Sequence, residues 1–367
     1  MKVLIIGNAD SIWVKSLVEK THLRYGDAVS VLTPKNSVYN EYYRNNNVRI
    51  YIIHKLKSAW FLVNLFKNLS YLAKGYDIIS VQYTEGWNAF WGTLGRCFNK
   101  KMILSFWGSD LLRLTEPDKK VLHAIKRSTF VTLTTDEMVK KFLDLYGNQY
   151  KEKIRMTKFG SNGIDFLNRH FDIEDIKERY GISSDKVVVS IGYNKMKEQQ
   201  HLAVLNVINS LSDELRSRIH IILRLTYGSG DNEYVRQIKE LVTKSQCTYT
   251  VFEKYMSDVE VAEITQITDV FIHAQTTDAR SASMSEHLYA NCLVINPDWI
   301  DYPDFNEKVF YLNFKDFNDL RDILADNIVK KENSRYRDKL EANTKIISDL
   351  CSWDSLSTLW RTVYEEM

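Results

Sequence analysis

The sequence predicts an α/β protein built from two doubly wound halves, each a parallel sheet with helices on both faces. Three observations carry this expectation. Short apolar, β-rich runs alternate with helix-length segments from residue 2 to residue 134, and the same alternation starts again after residue 168. The strand-like runs are continuously apolar, the pattern of strands buried on both faces. The 367 residues, 44% hydrophobic and 26% charged, have the length and composition of two soluble globular domains.

In order, residues 2–6 form a buried-strand run closed by Gly7, and 11–21 a helix that Ser11 is placed to cap. Strands follow at 28–32 and 48–53, then a helix at 59–73 that is apolar nearly all round. Strands at 77–83, 102–106 and 130–134 complete the first series, each with helical sequence behind it. The second series reads strand 186–191, helix 201–211, strand 219–225, helix 233–243 and strand 248–252. It continues with helix 258–268, strand 269–274, helix 283–290 and strand 293–296. A helix between successive strands is the crossover that a parallel pair needs. The expected domains are residues 1–168, joined by a returning helix at 352–367, and residues 169–351. No repeat of about 20–50 residues occurs, which excludes a solenoid. Ligands of such folds sit at the carboxyl ends of the strands, here expected to face across a cleft between the halves.

The formal net charge of +2 conceals an asymmetry. Residues 1–168 hold 25 Lys+Arg against 14 Asp+Glu, a balance of +11, and residues 169–367 hold 24 against 33, a balance of −9. The basic half suits an anionic partner or an anionic membrane face, against the alternative of an unevenly composed solvated surface. The overall balance gives no sign of nucleic-acid binding. Cys97, Cys247, Cys292 and Cys351 are far apart with no CxxC pair, so buried reduced thiols in a cytoplasmic protein are expected. The apolar start is too short for a secretory leader. The run at 59–66 contains Asn64 and is followed by Lys67, well short of the ~20 residues of a membrane span. There is no GxGxxG for a nicotinamide cofactor, no DxD at a strand end and no metal-ligand spacing of His, Cys and carboxylates. Neither metal nor cofactor is expected.

The densest chemistry follows strand 269–274: Thr277-Asp278-Ala279-Arg280-Ser281-Ala282-Ser283-Met284-Ser285-Glu286, leading into a helix. Small hydroxylic residues before a helix leave backbone N–H groups and the helix dipole facing a diphosphate. A carboxylate in the first turn can then accept hydrogen bonds from two adjacent ribose hydroxyls. The competing structural reading is a capping box, with Ser283 at the N-cap and Glu286 three residues on. Spacing alone leaves both open.

Asp278, seven residues and then Glu286 at a helix start resembles the acid-x7-Glu motif of the retaining family-4 glycosyltransferases of GT-B fold. That family's first acid is usually Glu, one methylene longer than Asp278. Its Gly-rich stretch is residues 279–283 here, and its Gly after the helix is Asn291, the commonest non-Gly residue in the left-handed region. Asn162-Gly163-Ile164-Asp165 is similar to the Asn-Gly-Val-Asp that closes the family's first domain, and residues 352–364 resemble its last helix. Phe106-Trp107-Gly108-Ser109-Asp110, Ile191-Gly192-Tyr193-Asn194, Gln200-His201-Leu202 and Thr226-Tyr227-Gly228 with Tyr234 look closer to another group. These segments are similar to the transferases that add 4-acetamidofucose in enterobacterial polysaccharide synthesis. The likeness covers most of the chain and is strongest from 186 to 300.

The resemblance implies a metal-independent GT-B glycosyltransferase that takes a sugar from a nucleotide-diphosphate donor. The acceptor it implies is a glycan or polyprenyl-diphosphate-linked glycan of bacterial surface polysaccharide, met at the inner face of the cytoplasmic membrane. Glu286 would meet the ribose, Asp278 the transferred sugar, and Ser281, Ser283 and Arg280 the diphosphate. Lys197 and Arg224 would offset leaving-group charge, and Asn194, Thr226, Tyr227 and Gly228 would complete the donor side. Gly7, Asn8 and Trp107 would belong to the acceptor side. There Asp110 is the candidate base of an inverting route, whereas the family-4 likeness implies retention. A nucleotide-sugar 2-epimerase and a non-catalytic GT-B subunit are the alternatives. Residue by residue, Lys197 also reads as a solvated loop lysine, Asp110 as the cap of 111–114, and Gly7 as a plain tight turn. Tyr227 reads equally as a core-edge tyrosine, and His201 and His273 as locally satisfied histidines.

Overall fold

Strands β1 (Lys2–Ile6), β2 (Ala28–Thr33), β3 (Arg49–Ile52), β4 (Ile78–Gln82), β5 (Lys101–Ser105), β6 (Phe130–Leu133) and β7 (Ile154–Met156) form one sheet. Its order is β3-β2-β1-β4-β5-β6-β7, and its paired strands are all parallel. The computed structural model describes residues 1–54, 60–99, 101–228, 231–278, 281–329 and 335–367. Two units divide the chain: residues 1–160 with 353–367, and residues 161–352.

In the first unit β1 shows why its sequence is continuously apolar. Successive side chains of a strand point to opposite faces. Val3 and Ile5 therefore pack with Val14, Val18 and Tyr43, whereas Leu4 and Ile6 pack with Trp91, Leu104 and Ile125. Each such side chain taken from water contributes about 1.5–3 kcal/mol. The C-terminal helix Trp353–Glu365 adds Trp353, Trp360 and Tyr364 to a cluster with Leu17, Ile78 and Ile103. Helix Phe61–Leu72 behaves differently. It buries only Asn68 and Leu72, while Phe61, Leu62, Val63 and Phe66, with Trp60 before it, stay exposed.

The second unit holds β8 (Val187–Ile191), β9 (Ile219–Arg224), β10 (Thr248–Phe252), β11 (Val270–Ile272), β12 (Leu293–Pro297) and β13 (Leu312–Phe314). Their order is β10-β9-β8-β11-β12-β13, again parallel at every pairing. The direction of winding reverses between β8 and β11. In such sheets the crevice outside the carboxyl ends at this reversal is where ligands bind.

The first half was expected to run to residue 168, but residues 161–168 lie in the second unit. The reason is Ile164 of helix Asn162–Leu167, buried with Phe271, Met284, Leu288 and Ile347. The three-residue strands β7 and β13 were not singled out in the sequence. Both are too short to show a period, and β7 carries Arg155 at its centre. Cys247, Cys292 and Cys351 are buried and not in disulfides, whereas Cys97 is exposed, against expectation. Among the described residues no helix is long and apolar enough to cross a membrane.

Candidate active site

Loops leaving β8, β9 and β11 build the site within the second unit. The first two are joined by Lys195 N, which donates to Tyr227 O at 3.0 Å, and within the first Asn194 Oδ1 accepts from Met196 N at 2.9 Å. Gly228 has φ +108, and a Cβ there would lie 2.7 Å from Met196 Cγ. Backbone conformation and close approach both call for glycine. Thr226 is partly buried beside it, and Tyr227 keeps 49% of its surface exposed.

The helix after the β11 loop is Ala282–Tyr289. Its N-cap is Ser281, whose Oγ accepts from Met284 N at 3.0 Å. The capping box of Ser283 with Glu286 does not form. Ser283 Oγ instead accepts from Arg224 Nη2 at 3.0 Å, and Glu286 Oε1 accepts from Ser161 Oγ at 2.9 Å. Capping thus falls to one serine and leaves the other, with Glu286, for the site. Gly163 lies against the carboxylate so closely that a Cβ there would sit 2.1 Å from Oε1. Asn291 ends the helix at φ +61, filling the left-handed position expected of it.

Arg224, at the end of β9, is buried, and its Nε finds no partner among the described residues. Burial pushes its guanidinium down, opposed first by the charge of Glu286. Burial pushes the Glu286 carboxyl up, opposed by the Ser161 hydrogen bond and the charge of Arg224. His287 Nδ1 meets Ser283 O at 2.6 Å while its ring stacks on Phe271 at 3.9 Å, so the next residue fixes the helix start. Burial holds His287 well below the usual histidine range.

Asp278 stands at the β11 end of the same loop. Its Oδ2 accepts from Tyr302 OH at 3.1 Å and lies 3.3 Å from both Gln275 Nε2 and His273 Nε2. Gln275 Nε2 also donates to the Tyr193 hydroxyl. Burial pushes the Tyr193 phenol up to about 12 and Tyr302 higher still, so both remain protonated donors at neutral pH. His273 is only half of the satisfied core histidine expected: Nδ1 is paired with Asn296, and Nε2 makes no hydrogen bond among the described residues. His201 is similar, with Nδ1 3.3 Å from Tyr234 OH and Nε2 unpartnered among those residues.

The remaining expected residues have the following surroundings. Lys197 is exposed and its ammonium is paired with Asp231 at 2.8 Å, so its charge is already countered. Arg280 lies outside the described residues. In the first unit Asp110 is buried and both its oxygens serve the backbone. Oδ2 accepts from Thr84 N at 2.7 Å, and Oδ1 accepts from Trp107 N at 2.9 Å and Gly108 N at 3.0 Å. Asp110 therefore brackets two loops, the local structural role, and burial pushes its carboxyl up. Trp107 is half-buried, donating Nε1 to Gln82 Oε1 at 3.1 Å and packing edge-on to Phe159. Gly7 is buried against Gln82 at the end of β1, whereas Asn8 beside it is exposed. Among the described residues no group of three or more His, Cys, Asp or Glu is placed to hold a metal ion.

Ser161, Gln275 and Tyr302 escaped the sequence reading. Ser161 directly precedes the Asn162-Gly163 segment that had been noticed, so a nearby signal existed. Tyr302 lies 24 residues from Asp278, and no periodicity connects them.

Residues 2–135 match the family described as glycosyl transferase 4-like. None of the curated proteins compared with the chain matches it. Among solved structures, the chain is similar to a glycosyltransferase from Rickettsia africae, with TM-score 0.75 and 14% identity over 100% of this chain and 98% of the other. It is also similar to HepE of Anabaena in complex with UDP, with TM-score 0.74 and 12% identity over 100% of both chains. A third is WaaG, a glycosyltransferase involved in lipopolysaccharide biosynthesis, with TM-score 0.61 and 11% identity over 99% of both. These likenesses establish the fold as GT-B, two Rossmann-like parallel-sheet domains of seven and six strands. The family match falls in the first half, whereas the motif likeness was strongest from 186 to 300.

Proposed function

We propose that the chain is a glycosyltransferase using a nucleotide-diphosphate sugar as donor. The observation that supports it most is the gathering of Glu286, Arg224 and Ser283 at the winding reversal of the second sheet, with capping left to Ser281. In this reading the Glu286 carboxylate accepts from the ribose hydroxyls, and Tyr227 offers its ring to the base. The diphosphate meets the start of helix Ala282–Tyr289, where free amides and the dipole favour an anion. As the bond between sugar and diphosphate breaks, Arg224 offsets the charge arriving on the leaving group without a metal. Asp278 addresses the transferred sugar. HepE, of the same fold, has been solved with UDP-glucose, which supports this choice of ligand class.

The first unit is assigned to the acceptor, a glycan or polyprenyl-diphosphate-linked glycan of bacterial surface polysaccharide, at the cytoplasmic face of the membrane. Between Glu41 and Asp77 the sequence has six Lys or Arg and no acid. Helix Phe61–Leu72 carries its exposed aromatic start within that stretch. Basic residues near an anionic leaflet contribute about 1 kcal/mol each.

The donor reading is tested by thermal melting with UDP, GDP, dTDP and CMP. A ligand at a hundred times its Kd stabilises by about 2.7 kcal/mol. One nucleotide is expected to raise Tm clearly, and no rise with any of the four would overturn the reading.

A further inference from the structure

Tyr227 and Tyr255 occupy matching positions at the carboxyl end of the second sheet. In the parallel pairing of β9 with β10, Arg224 is opposite Phe252, and Leu225 N donates to Phe252 O at 2.8 Å. Each tyrosine lies three residues beyond that pair, on loops leaving neighbouring strands about 4.8 Å apart. Tyr255 keeps 80% of its surface exposed, more than Tyr227 does. Burial raises the Tyr227 phenol and the phenol of Tyr255 adds to the rise, so the two side chains are within electrostatic reach.

The backbone is held beside both rings. Tyr227 O accepts from Lys195 N, and Gly228 follows it in a conformation that favours glycine. After Tyr255 comes Met256, buried with Ile176, Ile264 and Ile267. Ser257 then caps helix Asp258–Gln266 through a complete capping box with Glu260. An anchored chain thus carries the Tyr255 ring outside the core, where it adds little to packing. One exposed aromatic is ordinary. Two at matched positions, three residues past Arg224 and its partner strand, form a surface suited to a flat ring.

We propose that Tyr255 is a nucleobase-binding residue, stacking on the face of the base opposite Tyr227 so that the two rings sandwich it. This rests on the donor reading above, which gives the base to Tyr227. Stacking needs the ring and not the hydroxyl, and it accepts any base because every base has a π-face.

The test is calorimetry on the full chain with UDP, GDP, dTDP and CMP, and with inorganic diphosphate as the probe that has no base. Tyr255→Ala is expected to weaken the nucleotide that the wild type binds by roughly 5–150-fold, the effect of losing one stacked aromatic. Tyr255→Phe should keep wild-type affinity. Diphosphate should bind both variants as it binds the wild type, and melting without ligand should not change, because the side chain is exposed. Wild-type nucleotide affinity in Tyr255→Ala overturns the proposal and leaves the donor reading standing. Tyr255→Phe as weak as Tyr255→Ala also overturns it, and so does an equal loss for diphosphate. A wild type that binds none of the four nucleotides overturns the donor reading as well.

Discussion

Ser161 donates its hydroxyl to Glu286 at 2.9 Å, so the carboxylate proposed to read a ribose already holds a hydroxyl in its place. Gly163, two residues on, presses its backbone against the same oxygen. A ligand hydroxyl would replace a bond of the same kind and meet a side chain already oriented, which lowers the cost of ordering it on binding.

Glu286→Gln keeps an acceptor for Ser161 but removes the charge. Charge-assisted hydrogen bonds contribute about 1.5–3 kcal/mol each, so nucleotide affinity should fall about 10–100-fold by calorimetry. Burial raises the folded carboxyl. Wild-type affinity should therefore rise with pH as Glu286 ionises, and the Gln variant should be flat. The sign for stability is opposite. A raised carboxyl stabilises below its ordinary range and loses that contribution as pH rises through the folded value.

Gly163→Ala separates helix propensity from site geometry. Alanine favours a helix interior by about 1 kcal/mol over glycine. The new Cβ would nevertheless fall 2.1 Å from Glu286 Oε1, and the carboxylate must move. Nucleotide affinity should drop as far as in Glu286→Gln, but with a lower melting temperature.

Asp110→Ala removes the acceptor of three backbone hydrogen bonds. At about 1 kcal/mol each, roughly 2–4 kcal/mol of stability should be lost in denaturant unfolding. Asp110→Asn should lose less and keep its turnover. An Asn variant as stable as the wild type but inactive would instead assign Asp110 as a base.

Replacing Trp60, Phe61 and Phe66 together by serine should abolish flotation with anionic vesicles at low salt while leaving nucleotide binding intact. Added salt should weaken the wild-type interaction, because screening shortens the reach of the basic residues. A wild-type protein that does not float would remove membrane contact.

The two wound sheets were legible because β1, β8 and β9 are uninterrupted apolar runs bounded by loops. Asp278 and Glu286 could be proposed from the sequence because their spacing is local. What was hidden depends on neighbours distant in sequence. Ser283 looked like a cap until Ser281 took that role and Arg224, 59 residues away, claimed its hydroxyl. Lys197 pairs with Asp231, and Asp110 accepts from three backbone amides. Composition and spacing carry no information about such partners.

The nucleotide that raises Tm, bound to the full chain in a crystal structure, tests the donor site most directly. Its ribose hydroxyls should take the place of the Ser161 hydroxyl at Glu286 Oε1. Its diphosphate should lie at the Ser281 and Ser283 amides beside Arg224. A nucleotide bound elsewhere, with Ser161 still donating to Glu286, would contradict that assignment.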